Sequence, residues 1–354
     1  MGAITRFKSI TTKSVTSSTR KTAIVDSNLK LSQTSIENAK IIKKPKLSKP
    51  KPKLTKSSSD LEDLLTHITI PQDLSLPPKY IQDHTPEFIK GIQHILKIDP
   101  SLYPVIVHQN FKSFSSLIYT NVTMNENYNN SNDKENRIHT YWYSLIRSVI
   151  AQQVSGAAAK AIQTRFEGLF DGIPTPNKTL KFTPEELKSV GLSNMKVKYV
   201  QSISEAFNDP NNHLTRFEFY KQSKLDDILI ELCKLKGIGI WSAKMFAMFT
   251  LEEMDVFAED DLGIARGMAR YLNKRPELLK QIKQECMNDE ESQLLLKRKS
   301  KFANKTDSKR NWTPIHDAYV KYAAKRFSPY RSVFMMILWR LSSTNIDVLE
   351  KLDE

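Results

Sequence analysis

The sequence predicts an almost wholly α-helical fold, and three observations predict it. Apolar residues recur at helical spacing in segment after segment; a glycine pair, Gly237 and Gly239, separates two such segments as a tight turn; and the last segment, Val333 to Trp339, is apolar all round. The chain is organised around Glu231 to Tyr271. There a helix carrying Leu232 and Leu235 breaks at Gly237-Ile238-Gly239 and resumes through Trp241, Met245, Met248 and Phe249. Glycine permits a tight turn and close approach of backbone, and the second helix then offers unpaired N-terminal N–H groups beside that turn. A phosphate suits such groups. Further on, Asp255-Val256-Phe257 leads to Asp260 and Asp261, which open another helix at Leu262 to Leu272.

The remaining elements follow in order. Residues 1 to 75 are rich in Ser, Thr, Lys and Pro without a sustained apolar period and are expected to be a disordered basic tail; residues 76 to 354 form the folded domain. Phe88, Ile92, Ile95 and Leu96 define a helix that stops at Asp99-Pro100, and Leu102 to Val107 with Phe111 to Tyr119 complete a first layer. Asn and Asp crowd residues 121 to 136, which read as a surface loop. Trp142, Leu145, Ile146, Val149 and Ile150 form one apolar face; Gln152 and Gln153 interrupt; and Ser155 suits the N-cap of a helix bearing Ala158, Ile162, Phe166 and Leu169. After the central stretch come a polar helix at 273 to 290 and a basic segment at 291 to 312, read as an exposed insertion. The final helix is expected to start with Pro329 near its first turn.

Composition narrows the function. The 354 residues are 40% hydrophobic with no apolar run of membrane-spanning length, and two cysteines, Cys233 and Cys286, cannot hold an iron-sulfur cluster. The net charge is +14, but residues 1 to 56 hold fourteen Lys or Arg against only Asp26 and Glu37, so about +2 remains beyond Ser57. Toward a nucleic acid the tail can therefore add only a salt-sensitive, sequence-blind attraction, and affinity in the folded part must come from local placement and backbone groups. The run KKPKLSKPKPKLTK (43 to 56) reads as a nuclear address, and the acid-free first twenty-five residues also suit a mitochondrial presequence.

Leu-Lys-Gly-Ile-Gly-Ile-Trp-Ser-Ala (235 to 243) followed by Asp-Val-Phe-x-x-Asp-Asp-Leu-Gly-Ile (255 to 264) resembles the helix-hairpin-helix DNA glycosylases with a Gly/Pro-rich loop and an essential Asp. Within that superfamily the chain is most similar to the alkylation-repair 3-methyladenine branch, over roughly residues 85 to 340. SLIRSVIAQQVSGAAAKAI, GLSNMKVKYV (191 to 200) and the Phe327-Ser-Pro-Tyr330-Arg-Ser start of the last helix match its pattern as well. The resemblance implies two helical subdomains flanking a DNA-binding cleft, about 142–262 and 80–140 plus 263–345. It implies that Asp261 is the catalytic carboxylate, with Asp260 as its helix-facing structural partner. Trp241, Met245, Phe327 and Tyr330 would line the base pocket. Gln153 would fill the gap left by an extruded nucleotide, and Leu235, Gly237, Ile238 and Gly239 would contact DNA. Glu259 stands where the family's loop carries a proline, which loosens the loop in this reading.

The expected chemistry is hydrolysis of the N-glycosidic bond of an alkylated purine, leaving an abasic site in base excision repair. An ionised Asp261 would stabilise the oxocarbenium-like sugar or activate water. Ordinary glycosidases need a second carboxyl to protonate the leaving group; a cationic 3-methyladenine or 7-methylguanine does not. Strand-nicking relatives place a lysine where this chain has Trp241, so a monofunctional enzyme is expected. No cofactor or metal is called for, and the expected partner is duplex DNA containing alkylated bases, bound by a monomer. Two alternatives stay open: a non-catalytic helix-hairpin-helix DNA-binding protein and a bifunctional oxidised-purine glycosylase.

Overall fold

Helix after helix begins at a side chain able to satisfy its first free N–H groups. Thr85 accepts from Phe88 N, Ser155 from Ala158 N, Ser193 from Lys196 N and Asp261 from Ile264 N, while Thr183 and Glu186 form a reciprocal capping box. The computed structural model describes residues 68–115, 131–302 and 312–342, all within the unit that runs from Leu54 to Glu354. Among the described residues the regular structure is helical, with extended pairing limited to a single bridge between His84 and Ser115.

The α-helices are α1 (Pro78–Asp83), α2 (Pro86–Ile98), α3 (Tyr103–Val107), α4 (Ser131–Ala151), α5 (Gly156–Glu167), α6 (Pro176–Thr179), α7 (Pro184–Ser189) and α8 (Asn194–Asn208). They continue with α9 (Phe217–Gln222), α10 (Leu225–Cys233), α11 (Ile240–Phe249), α12 (Leu262–Asn273), α13 (Pro276–Cys286), α14 (Glu290–Leu296), α15 (Asp317–Lys325) and α16 (Arg331–Ser342). They sort into two groups. In the first, α8 packs on α4 and α6, α5 on α4, and α10 on α11. In the second, α12 lies along α16, which also meets α2 and α3, while α13, α14 and α15 pack together.

Close packing ties each group. Trp142, fully buried, donates from Nε1 to Ser204 Oγ at 3.1 Å, joining α4 to α8. In the second group α12 and α16 touch backbone to backbone: a Cβ at Gly267 would sit 2.0 Å from the Leu338 carbonyl oxygen. Only glycine permits that approach. Buried Arg340 of α16 caps the end of α3, donating to the carbonyls of Val105 (2.8 Å) and Ile106 (2.9 Å) while stacking over the Phe111 ring.

The connection 250–261 joins the groups. Its Asp255 receives Nε of Arg331 at 2.6 Å, Nη2 at 3.0 Å and the hydroxyl of Ser328 at 2.8 Å, and Ser332 Oγ accepts from Val256 N. The Arg-Ser start of α16 is thus a clamp on the segment leading to Asp261. Burial pushes the Asp255 carboxyl up, but the hydrogen bonds from Arg331 and Ser328 and the guanidinium charge outweigh it and hold the group below its usual range.

The structure differs from the expectations at several boundaries. Leu76 is buried and Tyr103 Oη donates to the Ser75 carbonyl, so contacts with the body begin inside the stretch assigned to the tail. The helix α4 starts at Ser131, within the expected surface loop, and α16 starts at Arg331 rather than at Pro329, whose peptide bond with Ser328 is cis. Part of the expected insertion at 291–312 is packed: α14 occupies its start, and Ser292, Ser300 and Phe302 are buried. The expected lysine-run address, the presequence and the layer beyond Ser115 lie outside the described residues.

Candidate active site

The glycine turn between α10 and α11 is fixed from three sides. Gly237 has φ +85°, and a Cβ there would meet the Tyr199 ring at 2.3 Å, so both the backbone and the neighbouring ring require glycine. Its carbonyl accepts from Gln152 Nε2 at 2.9 Å, and Ile238 N–H closes the turn onto Leu235 O at 3.1 Å. A Cβ at Gly239 would meet open space. No side chain caps α11, so the N–H groups of its first turn are not taken up by a side-chain cap. Leu235 and Ile238 are buried, and the Ile238 amide is taken up by the turn, so the side chains of these two residues support the hairpin from beneath.

Beside this turn ends α4. Lys196 of α8, its charge disfavoured by burial, donates to the Ile150 carbonyl at 2.7 Å. Gln152 points back to the hairpin, whereas Gln153 is exposed at φ +57°, a left-handed conformation uncommon for a residue with a Cβ. The two adjacent glutamines divide as support and protruding tip.

Asp261 closes the group. It is the N-cap of α12: Oδ1 accepts from Ile264 N and from Trp339 Nε1, each at 2.9 Å, and Oδ2 accepts from Trp241 Nε1 at 2.9 Å. The carboxylate is half-buried between two indoles, one from each group of helices. Trp241 is 42% exposed, and Phe249, 44% exposed, stacks on Trp339 at 5.9 Å with 16° between planes. A half-buried carboxylate is therefore ringed by partly exposed aromatic surface. Asp260, expected to be the helix-facing partner, instead pairs with Lys301 at 3.1 Å, and the cap is Asp261 itself.

Two expected pocket residues lie elsewhere. Phe327 is fully buried, stacked on Phe334 at 3.7 Å, and has no face left for a ligand. Tyr330 packs on α2, with its hydroxyl donating to Glu87 at 3.0 Å and its ring against His94 and Gly91. Met245 is half-buried against the core one turn along α11 from Trp241. Trp339 and Phe249 were missed. Trp339 comes nine residues after Tyr330, about two and a half helical turns, so attention to the aromatic start of the helix points to the opposite face. A concavity of about 450 Å³ near the start of α4, lined by His139, Pro176, Phe207 and Phe217, contains none of these residues. Among the described residues no His, Cys, Asp and Glu cluster could hold a metal ion.

A glycine hairpin, an uncapped helix start and a carboxylate between indoles thus stand together in a helical protein. The sequence pattern of the HhH-GPD superfamily of base excision DNA repair proteins matches residues 146–333, and the chain belongs to that superfamily. It is 36% identical over 293 residues, 80% of this chain and 90% of the relative, to the DNA-3-methyladenine glycosylase of Saccharomyces cerevisiae. It is 32% identical over 136 residues to DNA-3-methyladenine glycosylase 1 of Schizosaccharomyces pombe, covering 38% of this chain and 58% of that protein. A solved Schizosaccharomyces pombe 3-methyladenine DNA glycosylase in complex with abasic DNA aligns at 23% identity, with a TM-score of 0.44, over 71% of this chain and 95% of that one.

Proposed function

We propose that the protein is a monofunctional DNA glycosylase that extrudes alkylated purines such as 3-methyladenine and 7-methylguanine from duplex DNA and hydrolyses their N-glycosidic bond. The observation that carries this is Asp261, whose carboxylate is fixed by three N–H donors and flanked by the exposed face of Trp241. Breaking the bond places positive charge on the sugar, and a fixed carboxylate stabilises that charge without reorganising. The departing alkylated base is already cationic, so a single carboxylate suffices where sugar hydrolases use two. An indole face attracts a cation by roughly 1–2 kcal/mol when the pair is desolvated. Gly239 and the start of α11 would hold a phosphate, and Gln153 would occupy the space left in the duplex.

Among the described residues at the hairpin, no lysine takes the Schiff-base position. Trp241 occupies the position where the strand-nicking branch carries one, Lys244 is paired with Glu259 at 2.8 Å, and Lys236 precedes the turn. The product is then an abasic site with an intact strand. Action as a monomer, in the nucleus and also in mitochondria, is part of the same proposal and rests on the sequence alone. The test is release of methylated bases from alkylated duplex DNA by the wild-type protein and Asp261→Asn. Equal release would remove the catalytic assignment and favour a DNA-binding module. A covalent adduct trapped with borohydride would favour the strand-nicking chemistry instead.

A further inference from the structure

The two residues ahead of Asp261 are each held by ion pairs that reach out to different parts of the molecule. Glu259 pairs through Oε2 with Lys244 of α11 at 2.8 Å; each side chain is only 14% exposed. Its Oε1 lies 4.0 Å from Lys321 of α15, which also binds Glu291 of α14. Next in the chain, Asp260 receives Lys301 twice, at its carbonyl (2.9 Å) and at Oδ2 (3.1 Å), while its Oδ1 is buried without a partner. Glu259 was expected to loosen this loop because no proline stands there. The loop is instead tied to α11, to α15 and to the residues after α14.

We infer that the Lys244–Glu259 pair is a positioning device that sets the carboxylate of Asp261 against the Trp241 indole, taking the part a rigid loop residue would play. The inference rests on the reading of Asp261 as catalytic. Lys244 lies on the same helix as Trp241, one turn further on, and Glu259 lies two residues before Asp261, so the pair fixes the carboxylate relative to the indole that donates to it. A largely buried pair is little screened by salt; removing Glu259 strands the Lys244 charge, and removing Lys244 leaves Glu259 only the longer 4.0 Å contact with Lys321. The loop would then shift to relieve that charge, and a displacement of about 1 Å at a reacting group costs up to a hundredfold in rate.

The experiment is a double-mutant cycle on the full chain with Lys244→Met, Glu259→Gln and the pair together, read as the single-turnover rate of methylated-base release at saturating enzyme. Affinity for abasic-site duplex DNA and the melting temperature are measured alongside. Each single variant should release base about tenfold to a hundredfold more slowly while binding product DNA within about twofold of wild type. The double variant should recover part of the loss, because neither charge is then stranded. A pair that is merely structural would lower the melting temperature and the competent fraction, yet leave the saturating single-turnover rate unchanged. Wild-type rates in both single variants, or losses that multiply in the double variant, would overturn the inference. Asp261→Asn is assayed in parallel. If it alone is slow, positioning fails and the catalytic reading stands; if it is as fast as wild type, both fall.

Discussion

The two oxygens of Asp261 meet different demands, which makes the residue separable by mutation. Oδ1 caps α12 through Ile264 N and receives Trp339, whereas Oδ2 receives Trp241. Asparagine caps a helix start about as well as aspartate, so Asp261→Asn should keep its melting temperature within a few degrees of wild type. It carries no charge, and base release should fall on the order of a hundredfold or more, which a stability scan beside a release assay checks. Trp339→Phe keeps the ring that stacks on Phe249 but removes one N–H donor to the carboxylate. A hydrogen bond to a charged group contributes roughly 1.5–3 kcal/mol, so release should slow about tenfold or more while affinity for product DNA is unchanged. That Asp261 and Trp241 lie close to the glycine turn was legible in the sequence, because both sit a short, fixed number of residues from it. Trp339 was not, since its place depends on how α16 crosses α12, a tertiary relation that no local spacing encodes.

At the level of elements, two glycines do different work. Gly237 forms the turn, and Gly267 lets α12 and α16 approach until a carbonyl lies where a side chain would be. Gly237→Ala combines a left-handed backbone with a Tyr199 clash. It should weaken DNA affinity and release together, seen as a raised dissociation constant for abasic-site DNA. Gly267→Ala forces the helices apart, and overpacking of this kind costs about 1–3 kcal/mol, so melting should drop by several degrees. The turn glycine was readable from its neighbours because a break in a helical period announces itself. Gly267 sits inside a helix where glycine only costs stability, and its reason becomes visible once Leu338 is in place. The same limit misplaced Phe327 and Tyr330: both follow the family's aromatic pattern, but burial against Phe334 and contact with Glu87 are decided by packing across the molecule.

Over the whole molecule, the long apolar helices were legible from their period, whereas short or polar ones such as α6, α7, α9 and α15 were not, nor was which charges pair with which. The pH response follows from such pairing. His84 is buried, stacked on Phe88, and bridges two segments: Nδ1 lies 2.7 Å from Tyr80 O and Nε2 accepts from Phe111 N at 2.8 Å. Burial, which outweighs the Tyr80 carbonyl, lowers its pKa, so the folded protein favours the neutral ring. The folded value lies below the unfolded one of about 6.5, and the unfolded chain binds the proton first. The stabilisation is therefore full above about pH 6.5 and is lost as pH falls through the folded value. Asp289, held at about 2 by Lys325 and Ser292, loses its contribution only at far lower pH. Gln in place of His84 can donate and accept without titrating. The melting temperature of the wild type relative to His84→Gln should therefore fall between about pH 7 and pH 5, and a constant difference across that range would show that the ring does not titrate on unfolding.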